Sequence, residues 1–202
     1  GPQRICRWLR TCRGAGAGTR RTGRAIGPEG ELLGQKLETI YRKMKRKVSL
    51  VGWSLGGIMA RELAKKYPHM VRQVITMGSP FSGNPRANYA WRLYQSVTGQ
   101  EIDPEAMRDV FDNLAEAPKG IPTTAIFSKG DGVVSWRTCI EKRSKLTDNI
   151  EVYASHCGLG VNPTVFFALA DRLALPEKEW QPFDRTAATW RRYAYPSSGH
   201  FH

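Results

Sequence analysis

The chain has 202 residues, of which 41% are hydrophobic and 24% are charged. This balance is that of a folded globular protein, and it excludes collagen-like and wholly disordered chains. The length predicts one domain with at most a small appendage. The net charge is +13, and residues 1–30 alone contain seven arginines and one acidic residue. The rest of the chain is therefore only moderately basic.

The sequence has no segment typical of membrane insertion or secretion. No apolar run reaches the roughly 18 residues needed to span a bilayer, and residues 1–30 lack the apolar core of a secretory signal. These features predict a soluble, cytoplasmic protein. The four cysteines form no CxxC pair, which disfavours a zinc site; they are Cys6, Cys12, Cys139 and Cys157. We expect neither a metal nor a cofactor.

Predicted strands alternate with predicted helices, which indicates a parallel sheet with flanking helices. Residues 1–30 are rich in Gly and Arg and lack apolar periodicity, so we expect them to be irregular. The elements predicted after them are a helix from residue 31, a buried strand at 48–51, a helix at 58–67, a strand at 71–77, a strand at 123–128, a poor helix at 136–146, a strand at 150–154 and a helix at 163–173.

Residues 84–119 interrupt this alternation with two amphipathic helical patches. The pattern predicts a helical cap inserted into a core that extends from 31 to 183. Residues 184–202 are predicted to form a C-terminal tail. The aromatic face of the cap includes Trp91, which we expect to border the substrate; the alternative is that these aromatic side chains only pack as core.

The motif Gly52-Trp53-Ser54-Leu55-Gly56 has the pattern G-x-S-x-G and lies between a predicted strand and a predicted helix. A strand that turns so abruptly into a helix forces the serine into an unfavourable backbone conformation, and side chains in place of the two glycines would collide. The turn lifts the hydroxyl of Ser54 clear of the sheet. It also directs the amide of Leu55 toward an oxyanion formed there. The alternative is an ordinary turn whose serine caps the helix.

A serine nucleophile needs a base, and an imidazole oriented by a carboxylate is the usual one. His156 comes just after the strand at 150–154, at the edge where ligands gather in open α/β sheets. Asp131 follows the preceding strand between two glycines. The alternatives are that His156 only forms loop hydrogen bonds and that Asp148 is the acid, although Asp148 is predicted to cap a turn. The other histidines are predicted to be solvated; they are His69, His200 and His202.

The segments GWSLGG, GDGVV and SHCGLG resemble the elbow, acid and histidine segments of bacterial α/β-hydrolase esterases and lipases. The resemblance implies that Ser54 is the nucleophile, that His156 acts as general base and then acid, and that Asp131 orients it. It also implies that the Leu55 amide is one oxyanion donor. The segment MGSPF resembles a strand end that borders the acyl pocket, which implies a substrate contact for Phe81. Substrate contacts are also predicted for Trp53, in the serine motif, and for Trp91, in the cap.

The resemblance to these enzymes does not extend to residues 1–30. Such enzymes place several strands before the elbow strand, with a His-Gly segment that supplies a second oxyanion donor, and residues 1–30 contain neither. We therefore expect an α/β-hydrolase-type sheet of four strands that lacks the N-terminal ones, with an unpaired edge on the strand at 48–51. Such an edge favours association with a second copy of the chain.

These observations predict a serine hydrolase that cleaves a small-molecule or lipid ester. An acyltransferase with the same three residues is the nearest alternative. A second alternative is a non-catalytic basic module whose Arg-rich tract at 1–30 binds nucleic acid or an anionic membrane. Such binding is disfavoured because the tract contains no aromatic residue except Trp8.

Overall fold

The computed structural model describes residues 28–82 and 114–198. The predicted cap therefore lies outside the described residues up to position 113, as do Trp91 and residues 1–27. The described elements are, in chain order, helix α1 (Pro28–Met44), strand β1 (Val48–Trp53), helix α2 (Leu55–Lys66), strand β2 (Val71–Met77), strand β3 (Thr123–Phe127), a 3-10 turn (Trp136–Thr138), strand β4 (Thr147–Glu151), a 3-10 turn (Cys157–Gly160), helix α3 (Pro163–Ala174) and helix α4 (Thr189–Ala194).

The four strands form one parallel sheet in the order β1-β2-β3-β4. The predicted parallel sheet with flanking helices is therefore confirmed. Neighbours in the sheet are also successive strands of the chain, as is usual in compact domains. Because all four strands run in the same direction, their carboxyl ends meet at one edge of the sheet.

Helices cover both faces of the sheet, and the alternation of side chains along β2 explains how. Val74 belongs to an apolar cluster with α1 and α2, whereas the next residue, Ile75, belongs to a cluster with α3 on the other face. Both side chains are fully buried. Burial on both faces is typical of strands in parallel sheets, and the second half of β2, Val74-Ile75-Thr76-Met77, is accordingly mostly apolar.

Strand β4 begins three residues earlier than predicted. The sequence did not reveal this start because the polar residues there, which suggest a turn, are buried in the strand. Asp148, predicted to cap a turn, is fully buried in β4 and accepts a 2.7 Å hydrogen bond from the amide of Phe183. Asn149 pairs with the backbone of Glu141 in both directions, at 2.7 and 3.1 Å. Each polar side chain thus has an internal partner that offsets the cost of its burial.

The helix predicted at 136–146 is wrong, since only the 3-10 turn Trp136–Thr138 forms there. The backbone groups that a helix would use are bonded elsewhere. The amide and carbonyl of Glu141 both bond to Asn149, and the carbonyl of Lys142 accepts from the hydroxyl of Thr147. Side chains of β4 therefore hold this segment in an irregular path.

Within the described residues, β1 is an edge strand, because it pairs with β2 alone. The prediction of an unpaired edge agrees with this arrangement, but the prediction of a buried strand does not. Val51 is 44% exposed, and only Gly52 in the strand is buried. Association with a second copy through this edge stays a prediction.

Residues 184–198 pack against the sheet, in contrast to the predicted tail. Tyr195 is fully buried, and its hydroxyl donates a 2.7 Å hydrogen bond to the carbonyl of Thr164 in α3. The amide of Glu151 donates to Ser197, and Ser198 forms an antiparallel bridge with Ile150. A buried tyrosine with a satisfied hydroxyl anchors the segment. The predicted boundaries at 30 and 183 stay predictions. None of the described helices combines the length and apolar character that crossing a membrane requires.

The turn between β1 and α2 is tight at two glycines, and only one of them belongs to the predicted pair. A Cβ on Gly52 would lie 2.3 Å from the carbonyl oxygen of Gly56. A Cβ on Gly57 would lie 2.0 Å from Ser79 Oγ and 2.8 Å from Ser79 Cβ. At Gly56 a Cβ would have nothing within 4 Å, so the collision predicted there is wrong.

We predict opposite effects of alanine at the two adjacent glycines. Gly56→Ala should leave the free energy of unfolding unchanged or raise it by up to about 1 kcal/mol, because alanine favours helix over glycine. Gly57→Ala should lower it by about 1–3 kcal/mol, because the methyl group overpacks the turn. Urea unfolding of the two variants measures the difference, and equal stabilities would contradict the described contact with Ser79.

A buried guanidinium connects α2 to segments far away in the chain. Arg61 is fully buried, pairs with Glu141 and lies with its guanidinium carbon 3.8 Å from the centre of the Phe81 ring. It also donates hydrogen bonds to the three carbonyls of residues 114–116, at 3.0 to 3.3 Å. The cation therefore holds both sides of the interval 83–113 against α2.

We predict that Arg61→Met lowers the free energy of unfolding by about 3–5 kcal/mol, because the carboxylate of Glu141 is then buried without a cation. The matched control is Arg42→Met, which removes the exposed Glu38–Arg42 pair of α1 and should change stability little. Chemical unfolding of both variants tests the difference. A loss for Arg61→Met no larger than that for Arg42→Met would show that the buried pair does not stabilise the fold.

Candidate active site

The predicted reactive residues follow successive strands at the carboxyl edge of the sheet. Ser54 comes directly after β1, Asp131 lies four residues after β3, and His156 lies five residues after β4. Chain segments that leave neighbouring parallel strands at one edge are brought close together, and ligands bind there in open α/β sheets. The topology therefore places the three side chains together although the chain separates them widely.

Ser54 is held in a backbone conformation that few residues other than glycine adopt. Its φ is 54° and its ψ is −126°. The amide donates a 2.9 Å hydrogen bond to the carbonyl of Met77 in β2, and the carbonyl accepts a 3.0 Å bond from the amide of Gly57. Backbone strain of this kind persists only where surrounding bonds fix it, and it concentrates at functional sites.

The imidazole of His156 lies between the serine and the carboxylate. Its Nε2 is 3.1 Å from Ser54 Oγ, and its Nδ1 is 2.7 Å from Asp131 Oδ2. An ionised carboxylate only accepts hydrogen bonds, so Nδ1 carries the proton of the neutral ring and Nε2 is free to accept from the hydroxyl of Ser54. The structure thus brings together the three residues predicted from the sequence, in an arrangement suited to removing a proton from the serine.

The surroundings of Asp131 favour its ionised form. Burial raises the pKa of its carboxyl group, but hydrogen bonds from His156 and from the amides of Val134 and Val133 outweigh that effect, so the pKa lies below its ordinary value. The two amides donate to Oδ1 at 2.8 and 2.9 Å. Both oxygens of the carboxylate therefore have donors, and a negative charge faces the imidazole.

Two further side chains contact the histidine segment. The indole Nε1 of Trp53 donates a 3.2 Å hydrogen bond to the carbonyl of His156. The hydroxyl oxygen of Ser128 accepts 3.1 Å bonds from the amides of Gly130 and Ala154. Trp53 is half-buried. Its predicted contact with substrate stays a prediction, and the polar atom of its indole ring already has a protein partner.

Gly78 is a residue of the site that the sequence analysis did not identify. It follows β2 with a φ of +53°, and a Cβ there would lie 3.2 Å from Asp131 Oδ2, 3.3 Å from His156 Nδ1 and 2.6 Å from the side chain of Leu159. The glycine thus leaves room for the hydrogen bond between acid and base. Its place in Gly-Ser-Pro after a strand is a signal for a turn, but the proximity to Asp131 depends on the folded sheet.

The remaining predicted residues differ in how the structure places them. Leu55 is the first residue of α2, where amides have no acceptor within the helix, so its amide is suited to an oxyanion. Phe81 is fully buried against the guanidinium of Arg61, and its amide bonds to the carbonyl of Thr138. Its predicted contact with substrate stays a prediction, as does that of Trp91, which lies outside the described residues.

No metal site is found among residues 28–82 and 114–198, where no group of three or more His, Cys, Asp or Glu side chains could hold an ion. The described edge of the sheet offers a hydroxyl, an imidazole and a carboxylate. These groups can form and break an acyl bond without a further reagent except water.

Comparison with known proteins agrees with the fold. A family model for the alpha/beta hydrolase fold matches residues 43–106, about a third of the chain, including β1 and the serine turn. No curated protein sequence matches the chain significantly.

Several solved structures are similar to the chain. Lipase BlEst2 of Bacillus licheniformis, in its mature form, is 20% identical with a TM-score of 0.49, over 69% of this chain and 72% of that one. A monoacylglycerol lipase of Paleococcus ferrophilus is 13% identical with a TM-score of 0.49, over 70% and 72%. A hydrolase of Pseudomonas aeruginosa PA01 is 18% identical with a TM-score of 0.48, over 81% and 77%.

The family model covers the segment in which a parallel strand meets a helix at a strained serine, and the described sheet has the order and direction that this fold requires. The chain therefore has an α/β-hydrolase fold, and the match supports the α/β-hydrolase superfamily as its family.

Proposed function

We propose that the chain is a serine hydrolase that cleaves carboxylic esters through an acyl-enzyme on Ser54. The observation that supports this proposal most is the continuous chain of hydrogen-bonding atoms from Ser54 Oγ through both ring nitrogens of His156 to Asp131 Oδ2. The two distances, 3.1 and 2.7 Å, lie within the range in which a nucleophile and its base exchange a proton.

The first half of the reaction acylates the serine. His156 Nε2 takes the hydroxyl proton as Ser54 Oγ attacks the ester carbonyl, and Asp131 stabilises the imidazolium that results. The carbonyl oxygen becomes an oxyanion beside the amide of Leu55, which has no acceptor within α2. Collapse of this intermediate expels the alcohol, which takes the proton from His156 Nε2.

The second half releases the acid. Water attacks the acyl-enzyme with His156 again acting as base, and the serine oxygen regains its proton as it leaves. If an alcohol takes the place of water, the same groups catalyse acyl transfer. No described contact favours that acceptor over water, so hydrolysis is the proposal. Esters are preferred to amides because the sequence resembles esterases and lipases.

We predict that Ser54→Ala and His156→Ala each lower kcat for p-nitrophenyl esters by about 10⁴- to 10⁶-fold, because either change removes the activated nucleophile. The control is His69→Ala, an exposed histidine after α2 that should leave kcat unchanged. A fluorophosphonate probe should label Ser54 in the wild-type protein and not in Ser54→Ala. If each of the two variants still hydrolysed the esters and kept an unchanged circular dichroism spectrum, the roles proposed for Ser54 and His156 would be disproved.

We predict that Asp131→Asn lowers kcat by about 10⁴-fold, at the lower end of the range given above, because the serine and imidazole remain but the ring loses the acceptor that fixes its tautomer. Steady-state kinetics on the same esters measures the loss. If Asp131→Asn kept most of the wild-type kcat, another group would have to orient the imidazole.

The same variant gives a prediction for stability against pH. Because the pKa of Asp131 is lowered in the folded state, the unfolded chain binds a proton near pH 4 while the folded chain does not. The folded state therefore loses stability as the pH falls from about 5 through the lowered pKa. Asp131→Asn should show a shallower loss in urea unfolding over this range. An equal slope in the two proteins would indicate that the carboxyl of Asp131 does not titrate as described.

A further inference from the structure

The proposed base lies on a segment that the sheet does not fix. β4 ends at Glu151 and α3 begins at Pro163, and between them the structure has only the 3-10 turn Cys157–Gly160. His156 itself therefore lies in neither a strand nor an α-helix. Its side chain nevertheless must keep two hydrogen-bond distances at once, so contacts from other segments have to set its position.

One such contact comes from the residue that precedes the nucleophile. The indole N–H of Trp53 bonds to the backbone carbonyl of His156 at 3.2 Å, and the two rings lie 5.8 Å apart at an angle of 35°. The indole also lies alongside Gly160, at the far end of the same 3-10 turn. Trp53 therefore connects the serine turn directly to the backbone of the base.

The second contact comes from the end of β3. Ser128 is 2% exposed, and its hydroxyl oxygen accepts from two amides at 3.1 Å. One amide belongs to Gly130, next to Asp131, and the other to Ala154, two residues before His156. A single oxygen thus links the loop that carries the acid to the segment that carries the base.

We propose that Trp53 and Ser128 are positioning residues that fix the backbone of the His156 segment, from the side of the nucleophile and from the side of the acid respectively. The proposal rests on the proposed function, in which His156 is the base. Neither side chain takes part in proton transfer. Each holds the backbone so that both nitrogens of the imidazole stay within reach of their partners.

The physical basis is the cost of small displacements. Without the Ser128 hydroxyl, the amides of Gly130 and Ala154 lose the acceptor that they share, and the two segments are no longer tied to each other. Without the indole N–H, the carbonyl of His156 is free to turn away. A displacement of about 1 Å at a reacting group lowers the rate by about 100-fold, because it removes the reactive geometry without preventing substrate binding.

The test compares Trp53→Phe and Ser128→Ala with matched controls. Trp190→Phe replaces a half-exposed tryptophan of α4. Ser144→Ala removes a hydroxyl that lies before β4 and accepts a hydrogen bond from one backbone amide, that of Leu146. We expect Trp53→Phe and Ser128→Ala each to lower kcat by about 10- to 100-fold with KM nearly unchanged, and the controls to behave as wild type. Thermal unfolding of each variant shows whether it is folded at the assay temperature.

A second measurement needs no substrate. Nuclear magnetic resonance of the folded protein is used to follow the proton on His156 Nδ1, whose exchange with water would report on the bond to Asp131. We expect faster exchange in Trp53→Phe and Ser128→Ala than in the controls. This readout decides the positioning roles even if the wild-type protein hydrolyses no ester, an outcome that would refute the proposed function alone.

Two results would overturn the proposal. One is kcat and proton exchange in Trp53→Phe and Ser128→Ala within twofold of the controls. The other is an effect confined to KM, which would assign Trp53 to substrate binding and leave the position of His156 independent of it.

Discussion

The site depends on a turn in which one residue, Ser54, separates a strand from a helix. The turn is possible because the backbone of Gly52 lies against that of Gly56 and Gly57, with no space for a side chain on either Gly52 or Gly57. Two backbone hydrogen bonds then hold Ser54 at a positive φ. This constraint fixes where the hydroxyl points, and the positions of Asp131 and His156 bear on the proposed function only relative to it.

Asp131 and His156 reach Ser54 from β3 and β4 by way of loops, so their geometry depends on the hydrogen bonds that hold those loops. Asp131 is held by two amides of its own loop, and the His156 segment is bonded to Trp53 and Ser128. Regular structure positions the nucleophile, whereas individual hydrogen bonds position its partners. A division of this kind is common where reactive residues lie on loops supported by a rigid sheet.

The parallel sheet and the proximity of Ser54, Asp131 and His156 could be predicted from the sequence, because apolar runs and a strained G-x-S-x-G turn are local signals. The start of β4 could not, since Asp148 and Asn149 find their partners in Phe183 and Glu141, which only the fold brings near. For the same reason, the second tight position of the turn was predicted at Gly56, whereas the structure has it at Gly57. Ser79, which excludes a side chain at Gly57, belongs to the segment after β2.

The buried cation of α2 also bears on how this protein can change in evolution. Arg61 bonds to residues 114–116 and lies against Phe81, so the two ends of the interval between them are secured independently of its length. Ser54, Asp131 and His156 are held by described bonds that come from outside this interval, so the sequence of the interval is free to vary while these three residues keep their places.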